Sequence, residues 1–330
     1  MKRVAVIGLG DIAQIHIPIL QKMPNIELCA VCDTKASKRA LFDGLAFFTD
    51  VNRILYEVKP DAVHLCLPHY LHYPMAAAAA KAGVHVFCEK PLALDAAEAA
   101  KFAALEDEYP ALRFGLCLQN RYNKSTEKLL EIIKSGRDGA VTGVKGIVAW
   151  NRPKEYYKAS PWRALMKKAG GGVMINQSIH TLDIMQLFGG KMLTLRGNIG
   201  NLTDYGIEVE DTASARIVFA NGAVGLYMAS VANSKNDSVE IGVALENAEY
   251  TIVDNALYQV GENGARTLIC EDDRLPGTKF YYGASHVKAI DAYYKAMEED
   301  TEEYIHAKEG INSMLMIDAI RMSNGSTMLL

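Results

Sequence analysis

Residues 4–13 read Val-Ala-Val-Ile-Gly-Leu-Gly-Asp-Ile-Ala, an apolar run followed at once by a glycine-rich turn. The apolar run predicts a β-strand over Val4–Gly8, and the residues after the turn predict a helix over Ile12–Lys22. Together they form the pattern G-x-G-x-x-A, spelled Gly8, Leu9, Gly10, Asp11, Ile12 and Ala13. In this pattern the first glycine makes a tight turn, the second lets the backbone approach a pyrophosphate, and the small third residue allows close packing. Because the helix N-terminus then presents unpaired N–H groups to the phosphates, the stretch predicts dinucleotide binding.

An acidic residue, Asp33, stands at the end of the second predicted strand, 25 positions after Gly8. A carboxylate at this place can accept hydrogen bonds from both hydroxyls of the adenosine ribose. Because it would also repel a 2′-phosphate, Asp33 favours NAD as the cofactor. The basic run 34–39 that follows could still hold such a phosphate, so NADP remains the alternative.

The chain changes its pattern near residue 118. Up to that point short apolar runs alternate with helix-like stretches, which is typical of a parallel sheet covered on both faces. Beyond Gln119, consecutive strand-like runs follow one another from Leu193 to Cys270 without intervening helices, and this argues for an antiparallel sheet. We therefore predict an α/β fold with two domains, a Rossmann domain over residues 1–118 and a second domain over residues 119–330.

Composition limits the classes of partner. The chain has 35 basic and 39 acidic residues, so its formal net charge is 35 − 39 = −4, spread evenly along its length. Neither nucleic acid nor an anionic membrane is therefore an expected partner. The sequence has no apolar run of about 18 residues that would predict a transmembrane helix. We expect a cytoplasmic protein that acts on a small molecule.

The cysteines predict no metal site. Cys29 and Cys32 spell C-x-x-C, which can indicate a redox or metal pair. They lie in a predicted strand, where residues three apart point to opposite faces. Buried structural thiols explain the pattern better, in keeping with a reducing compartment.

A lysine follows the predicted strand Val84–Cys88 in the turn Glu89-Lys90-Pro91. This places Lys90 at the carboxyl end of a parallel strand, the edge of an open α/β sheet where ligands bind. A lysine there can stabilise an alkoxide or donate a proton to it.

With this turn the sequence resembles the glucose–fructose oxidoreductase, inositol dehydrogenase and rhizopine-catabolism (Gfo/Idh/MocA) oxidoreductases over nearly its whole length. The resemblance rests on residues 8–13, 67–69 with His72, 82–91, 119–122, and Gly170-Gly171-Gly172 leading to His180 and Asp183. It implies a second α/β domain with a large, mostly antiparallel open sheet, which binds substrate and mediates homodimers or homotetramers. It also implies hydride transfer between a nicotinamide and a hydroxyl-bearing carbon of a sugar, cyclitol or related polyol. By position Lys90 resembles the catalytic lysine, Glu89 its neighbour near the nicotinamide ribose, and Pro68 and His69 the loop that flanks the nicotinamide.

A predicted helix over Val173–Phe188 carries the remaining candidate catalytic residues. Asn176 and His180 are four apart and would share one helix face, with Asp183 next to them. Many relatives have an aspartate at the Asn176 position, and asparagine cannot take a proton. We therefore assign acid–base chemistry to His180 and Lys90, and substrate positioning to Asn176. Asp183 either orients His180 or serves the structure.

Polar and aromatic side chains elsewhere are candidates for substrate binding. Asn120 and Arg121 follow the last Rossmann strand and would reach the interdomain cleft. Tyr156 and Arg163 precede the triple glycine, and an aromatic ring can stack on a sugar while an arginine binds hydroxyls or carboxylates. The alternative for these residues is a packed irregular loop. Tyr282 and His286 are further candidates from the C-terminal segment.

Three functions remain open from the sequence. The leading hypothesis is an NAD-dependent dehydrogenase acting on CH–OH groups. A second is an NAD-dependent enzyme that cleaves glycosides by transient oxidation and elimination, without net turnover of the cofactor. A third is a non-enzymatic dinucleotide-sensing regulator, which the presence of Lys90 and His180 disfavours.

Overall fold

The structure of the protein is a computed structural model that describes residues 1–42, 44–274 and 284–330. Its first sheet has six parallel strands in the order β3-β2-β1-β4-β5-β6. The strands are β1 Lys2–Ile7, β2 Ile26–Cys32, β3 Ala46–Phe48, β4 Ala62–Leu65, β5 His85–Glu89 and β6 Phe114–Cys117. Because β1, β4 and β5 are neighbours, the loops that follow them meet at one edge of the sheet.

Helices connect these strands, as a parallel sheet requires. They are α1 Ala13–Lys22, α2 Val51–Arg53 with the π-helical turn Ile54–Val58, α3 His72–Lys81 and α4 Ala96–Glu108. Between β2 and β3 the chain forms a 3₁₀ helix over Ala36–Leu41. Buried residues line most of β1, β4 and β5, so this sheet is covered on both faces.

The chain divides into two compact units, and the first is Met1–Leu118 together with His286–Ile311. The prediction assigned all of residues 119–330 to the second domain. This assignment is corrected for residues 286–311, which belong to the first unit. The reason is the helix α10 Ser285–Glu299, which buries Tyr293 and Tyr294 against rings of the first sheet. The Tyr293 ring lies 5.1 Å from Phe87, and Tyr294 stacks on His64 at 5.7 Å.

The second unit, Gln119–Ser285 with Asn312–Leu330, contains a nine-stranded sheet in the order β14-β13-β12-β11-β7-β10-β9-β8-β15. All neighbouring strands are antiparallel except β7 and β10. The strands are β7 Val141–Ala149, β8 Met192–Gly200, β9 Thr212–Phe219, β10 Val224–Ser230, β11 Glu240–Leu245, β12 Glu249–Val253, β13 Ala256–Val260, β14 Arg266–Glu271 and β15 Thr327–Leu329. The predicted fold class, α/β with a parallel and a mostly antiparallel sheet, is confirmed.

Helices accompany the nine-stranded sheet in the described part of the second unit. They are α5 Lys124–Ser135, α6 Lys154–Ala159, α7 Met166–Ala169, α8 Val173–Asn176, α9 Ile179–Gly189 and α11 Ile311–Ser323. Helix α9 lies so close to β7 that a Cβ on Gly146 would come within 2.4 Å of Met185 Sδ. On β10 the inward residues are buried, whereas Val224, Leu226 and Met228 point to the opposite face and are exposed.

The predicted single helix over 173–188 is wrong, because it is interrupted between α8 and α9. Ser178 Oγ donates a hydrogen bond to Val173 O at 2.8 Å, and Ser178 N donates to the same carbonyl at 3.0 Å. A serine that bonds to the backbone in this way competes with the regular helical pattern. Asn176 therefore ends α8, and His180 lies in the first turn of α9.

Within the described ranges, no helix combines the length and the apolar character that crossing a bilayer demands.

Candidate functional site

The glycine-rich turn of the first unit leaves room for a ligand. Gly8 has φ +91°, and a Cβ there would lie 2.3 Å from Cys66 O, so only glycine fits between β1 and β4. Gly10 is different, because a Cβ on it would meet no atom within 4 Å. The turn therefore packs tightly on its protein side and is open beyond Gly10, where Asp11 is exposed. A pyrophosphate fits this open side, and Ile12 then leads into α1.

Asp33 follows β2 and is bound to the same turn. Its Oδ2 accepts a hydrogen bond from Leu9 N at 3.0 Å, and its Oδ1 accepts one from Lys35 N at 2.9 Å. Lys38 Nζ lies 2.7 Å from Asp33 Oδ2 and also donates to Leu9 O. Burial tends to raise the pKa of Asp33, but these hydrogen bonds and the Lys38 charge lower it overall. The carboxylate is thus fixed beside the glycine turn.

The turn that contains Lys90 is joined to the loop of Pro68 and His69 by a single histidine. His72 Nδ1 lies 2.6 Å from Pro91 O, and its Nε2 lies 2.9 Å from Leu67 O. Burial lowers the pKa of His72, so the neutral ring donates to one carbonyl at a time. His69 is buried, and its ring lies 5.9 Å from the His72 ring. The two segments predicted to flank a nicotinamide are therefore held together.

Glu89 ends a buried chain of hydrogen bonds that no local sequence motif indicates. His16 Nε2 lies 2.9 Å from Glu89 Oε1, His16 Nδ1 lies 2.8 Å from His64 Nδ1, and His64 Nε2 lies 2.8 Å from the Tyr294 hydroxyl. We call these four residues the Glu89 chain. With Glu89 ionised and both rings neutral, Tyr294 donates to His64, His64 donates to His16, and His16 donates to Glu89. Each polar atom along the chain then has a partner.

The charges around Glu89 keep it ionised despite its burial. Burial alone would raise its pKa, but the hydrogen bond from His16 and the electrostatic influence of His16, His286 and Lys90 hold the pKa well below its usual range. His286 Nε2 lies 4.0 Å from Glu89 Oε1, which brings this predicted residue close to the Lys90 turn. For His64, burial drives the pKa down, so its ring stays neutral.

One group of potential metal donors lies at the same place. Donor atoms of His16, Glu89 and Cys117 all lie within 4.8 Å of one another, and the three residues are buried. The 2.9 Å hydrogen bond between His16 and Glu89 satisfies these two groups without an ion. The expected absence of a metal site stays a prediction.

The triple glycine of the second unit is fixed by a buried acid, Glu210. Its Oε1 accepts hydrogen bonds from Gly172 N at 2.9 Å and Met174 N at 3.2 Å, and its main-chain O accepts one from Val173 N at 2.9 Å. A Cβ on Gly172 would lie 1.8 Å from Glu210 O, so the approach requires glycine. Burial raises the pKa of Glu210, and the hydrogen bonds offset part of this rise.

Behind His180, a short 3₁₀ helix over Gln119–Tyr122 supplies two contacts to α9. His180 Nε2 lies 3.2 Å from Gln119 Nε2. Arg121 binds Asp183 through two hydrogen bonds, Nε to Oδ2 at 2.8 Å and Nη2 to Oδ1 at 2.7 Å. Asp183 is buried, so its role as partner of Arg121 favours the structural alternative over the orientation of His180. Asn120, in the same 3₁₀ helix, is partly exposed.

The Tyr156 ring lies close to two arginines. The guanidinium carbon of Arg163 lies 4.8 Å from the centroid of the Tyr156 ring, and that of Arg152 lies 5.4 Å from it. The Tyr156 hydroxyl accepts a hydrogen bond from Gln177 Nε2 at 3.2 Å. Because Gln177 directly follows Asn176, the structure brings Tyr156 and Arg163 next to the segment between α8 and α9. Tyr282 lies outside the described residues.

The two histidines of the Glu89 chain share one signal in the sequence. His16 and His64 are histidines inside apolar periodic segments, and both are fully buried. A buried histidine needs hydrogen-bond partners, so their presence in such segments indicates a polar network. The partners themselves could not be inferred, because Tyr294 lies 230 positions from His64.

Two family models match the chain. One is described as "Oxidoreductase family, NAD-binding Rossmann fold" and matches residues 2–114; the other is the "GFO/IDH/MocA C-terminal domain" and matches residues 126–251. Together they cover more than two thirds of the sequence and agree with the resemblance seen in its motifs.

Named relatives and solved structures are similar to most of the chain. D-glucoside 3-dehydrogenase of Escherichia coli is 26% identical, with 97% of this chain and 95% of the relative covered. Myo-inositol 2-dehydrogenase of Thermotoga maritima is also 26% identical, with 68% and 67% covered. The WlbA dehydrogenase from Bordetella pertussis, solved with NADH and UDP-GlcNAcA, aligns with a TM-score of 0.85 at 26% identity and covers 100% of this chain and 98% of its own.

Proposed function

Because the chain belongs to the Gfo/Idh/MocA oxidoreductase family, we propose that it is an NAD-dependent dehydrogenase that oxidises a hydroxyl-bearing carbon of a sugar, cyclitol or related polyol. The single observation that carries the proposal is the arrangement at one edge of the parallel sheet. The open glycine turn after β1, the loop after β4 and the Lys90 turn after β5 all lie at that edge. Ligands of open α/β sheets bind at this edge.

The chain's own residues fit the parts of NAD. The turn of Gly8 and Gly10 and the start of α1 hold the pyrophosphate, and Asp33 binds the adenosine ribose. The loop of Pro68 and His69 and the buried Glu89 flank the nicotinamide end. When bound, NAD supplies an acceptor for the hydride.

Lys90 and His180 both act on the substrate hydroxyl. As the hydride leaves carbon, the hydroxyl must lose its proton, and His180 is the general base that takes it. The Lys90 ammonium stabilises the negative charge that develops on the oxygen. Asn176 positions a hydroxyl as donor and acceptor, because it cannot accept the proton. Asn120, Arg121, Tyr156 and Arg163 are the candidates for further substrate contacts.

Two features concern the protein as a whole. We propose a cytoplasmic homodimer or homotetramer that pairs through the outward face of the nine-stranded sheet. The exposed side chains of Val224, Leu226 and Met228 on β10 support this, because a row of apolar residues on an open sheet face is typical of an interface.

The experiment follows NADH absorbance with aldoses, uronic acids, inositols and sugar nucleotides. Lys90→Ala and His180→Ala should each lower kcat by about 10²–10⁴-fold, because each removes a group that acts on the hydroxyl. Equilibrium binding of NAD should change little. Lys81→Ala, at an exposed position of the same unit, is the matched control and should keep full activity.

Either of two outcomes would contradict the proposal. Nearly full activity of Lys90→Ala on the true substrate would rule out the proposed mechanism, in which Lys90 stabilises the developing negative charge. Conversion of a glycoside without net formation of NADH would replace dehydrogenation by the oxidation–elimination reaction.

A further inference from the structure

We infer that the substrate is an anionic sugar, one that carries a carboxylate or a phosphate, and that Arg163 is the residue that selects it. The inference rests on the proposed function and names its substrate class. It comes from the segment 152–168, which forms the platform around Tyr156.

The platform concentrates positive charge in a chain that is negative overall. Residues 152–168 contain six basic residues and a single acidic one, Glu155, whereas the whole chain has 35 basic and 39 acidic residues. The six are Arg152, Lys154, Lys158, Arg163, Lys167 and Lys168. Exposed lysines are screened by salt and select little by themselves. The two arginines differ from them because they are held in place.

Arg163 is oriented by aromatic rings and not by an acid. Its guanidinium carbon lies 4.8 Å from the Tyr156 centroid and 5.2 Å from the Trp162 centroid. Its Nε is buried and has no hydrogen-bond partner among the described residues, and no carboxylate there forms a salt bridge with it. An arginine stacked in this way presents a planar set of donors that matches a carboxylate or a phosphate.

The platform is pre-organised by a small hydrophobic core of its own. Tyr157, next to Tyr156, is buried with Ala169 and Val209, and Trp162 packs against this cluster. Arg152, whose guanidinium carbon also lies near the Tyr156 ring, is fixed by hydrogen bonds from Nη1 to Asn151 O at 2.7 Å and to Asn236 Oδ1 at 2.9 Å. A rigid platform loses little conformational freedom when it binds an anion.

The platform is tied to the proposed catalytic residues. Gln177, whose side chain donates to the Tyr156 hydroxyl, stands in the chain between Asn176 and His180. Arg121, the other arginine near α9, has its charge matched by Asp183 at 2.7 Å. Arg163 is therefore better suited than Arg121 to bind the anionic group of a sugar whose hydroxyl reacts near His180.

The test uses four probes that carry neither, one or both of a carboxylate and a nucleoside diphosphate: D-glucose, D-glucuronate, UDP-glucose and UDP-glucuronate. The NAD-bound protein is assayed for kcat/KM by NADH absorbance and for binding by calorimetry, as wild type, Arg163→Gln, Arg163→Lys and the exposed control Lys154→Gln. We expect the wild type to prefer an anionic probe over D-glucose by about 10–100-fold, as one charge-assisted bidentate contact allows. The carboxylate and the diphosphate are separated by comparing D-glucuronate with UDP-glucose.

Arg163→Gln should remove most of this preference, and the loss should appear mainly as a higher KM for the anionic probes. Arg163→Lys should keep part of the preference, and Lys154→Gln should keep all of it. The inference is overturned if no anionic probe is preferred, or if Arg163→Gln weakens charged and neutral probes equally. Turnover of D-glucose without an anionic preference would leave the proposed function standing and remove only the inference. If binding is selective for anions and depends on Arg163, but no probe yields NADH, the inference about Arg163 stands and the proposed function fails.

Discussion

Replacing Tyr294 with phenylalanine tests the Glu89 chain, because it removes one hydroxyl and little else. The Tyr294 ring stacks on His64 with a centroid distance of 5.7 Å and an interplanar angle of 9°, and a phenylalanine ring can keep that contact. The hydroxyl lies 2.8 Å from His64 Nε2 in a fully buried environment. Its removal leaves that nitrogen without a partner, since water does not reach it. A buried polar group left unsatisfied costs about 1–3 kcal/mol of unfolding free energy.

The neighbouring residue provides a matched control. Tyr293 is buried in the same helix, and its hydroxyl donates to Arg113 O at 3.1 Å. That carbonyl also accepts from Val86 N at 2.9 Å, so Tyr293→Phe leaves no acceptor without a partner. We expect Tyr293→Phe to cost about 0.5–1.5 kcal/mol, the net value of one ordinary hydrogen bond.

Urea unfolding followed by circular dichroism measures both variants, and calorimetry adds the melting temperatures. For a protein of this size, Tyr294→Phe should lower Tm by roughly 2–12 °C, and by more than Tyr293→Phe does. Equal effects, or the reverse order, would refute the reasoning that His64 depends on the Tyr294 hydroxyl.

Two further predictions concern the cofactor and pH. Asp33→Ser should raise the preference for NADP over NAD by about tenfold or more in kcat/KM, because it removes a repelling carboxylate and releases Lys38 for the 2′-phosphate; an unchanged ratio with the two cofactors would contradict it. Stability should fall as the pH drops below about 6.5, because burial lowers the folded-state pKa of three histidines, so the unfolded chain binds more protons there. They are His64, His72 and His85, the last with a pKa of about 4. His306, whose pKa is raised, opposes them in part, and urea midpoints at pH 7.5, 6 and 5 that do not decline would count against the net effect.

Features that depend on a short local pattern of residues could be predicted from the sequence. Both sheets, the family and the use of NAD follow from residues 8–13, from the alternation of apolar runs and from the turn at Lys90. The interruption of the helix at Ser178 could not be read in the same way. A serine is tolerated inside helices, and only the packing of α8 and α9 decides that its hydroxyl binds the carbonyl of Val173.

Contacts between distant parts of the chain could not be predicted from the sequence. Glu210 lies 38 positions after Gly172, and nothing near the triple glycine indicates that a buried acid holds it. Tyr293 and Tyr294 lie far along the chain from residues 1–118, yet they pack in the core of the first unit. The assignment of roles to Lys90, His180 and Asn176 stays a prediction, since it depends on chemistry with a substrate.

Because residues 286–311 belong to the first unit, this unit cannot complete its fold until a late stage of chain synthesis. A ribosome completes residues 1–118 early, yet β6 at that stage lacks the hydrogen bond that Leu116 N donates to Ile305 O. His64 likewise has no Tyr294, and Phe87 has no Tyr293 ring beside it. Residues 1–118 therefore keep apolar and polar surface uncovered until the chain has been synthesised as far as Ile305. A nascent or truncated chain that stops before α10 would expose the interior of its nucleotide-binding sheet to chaperones and proteases.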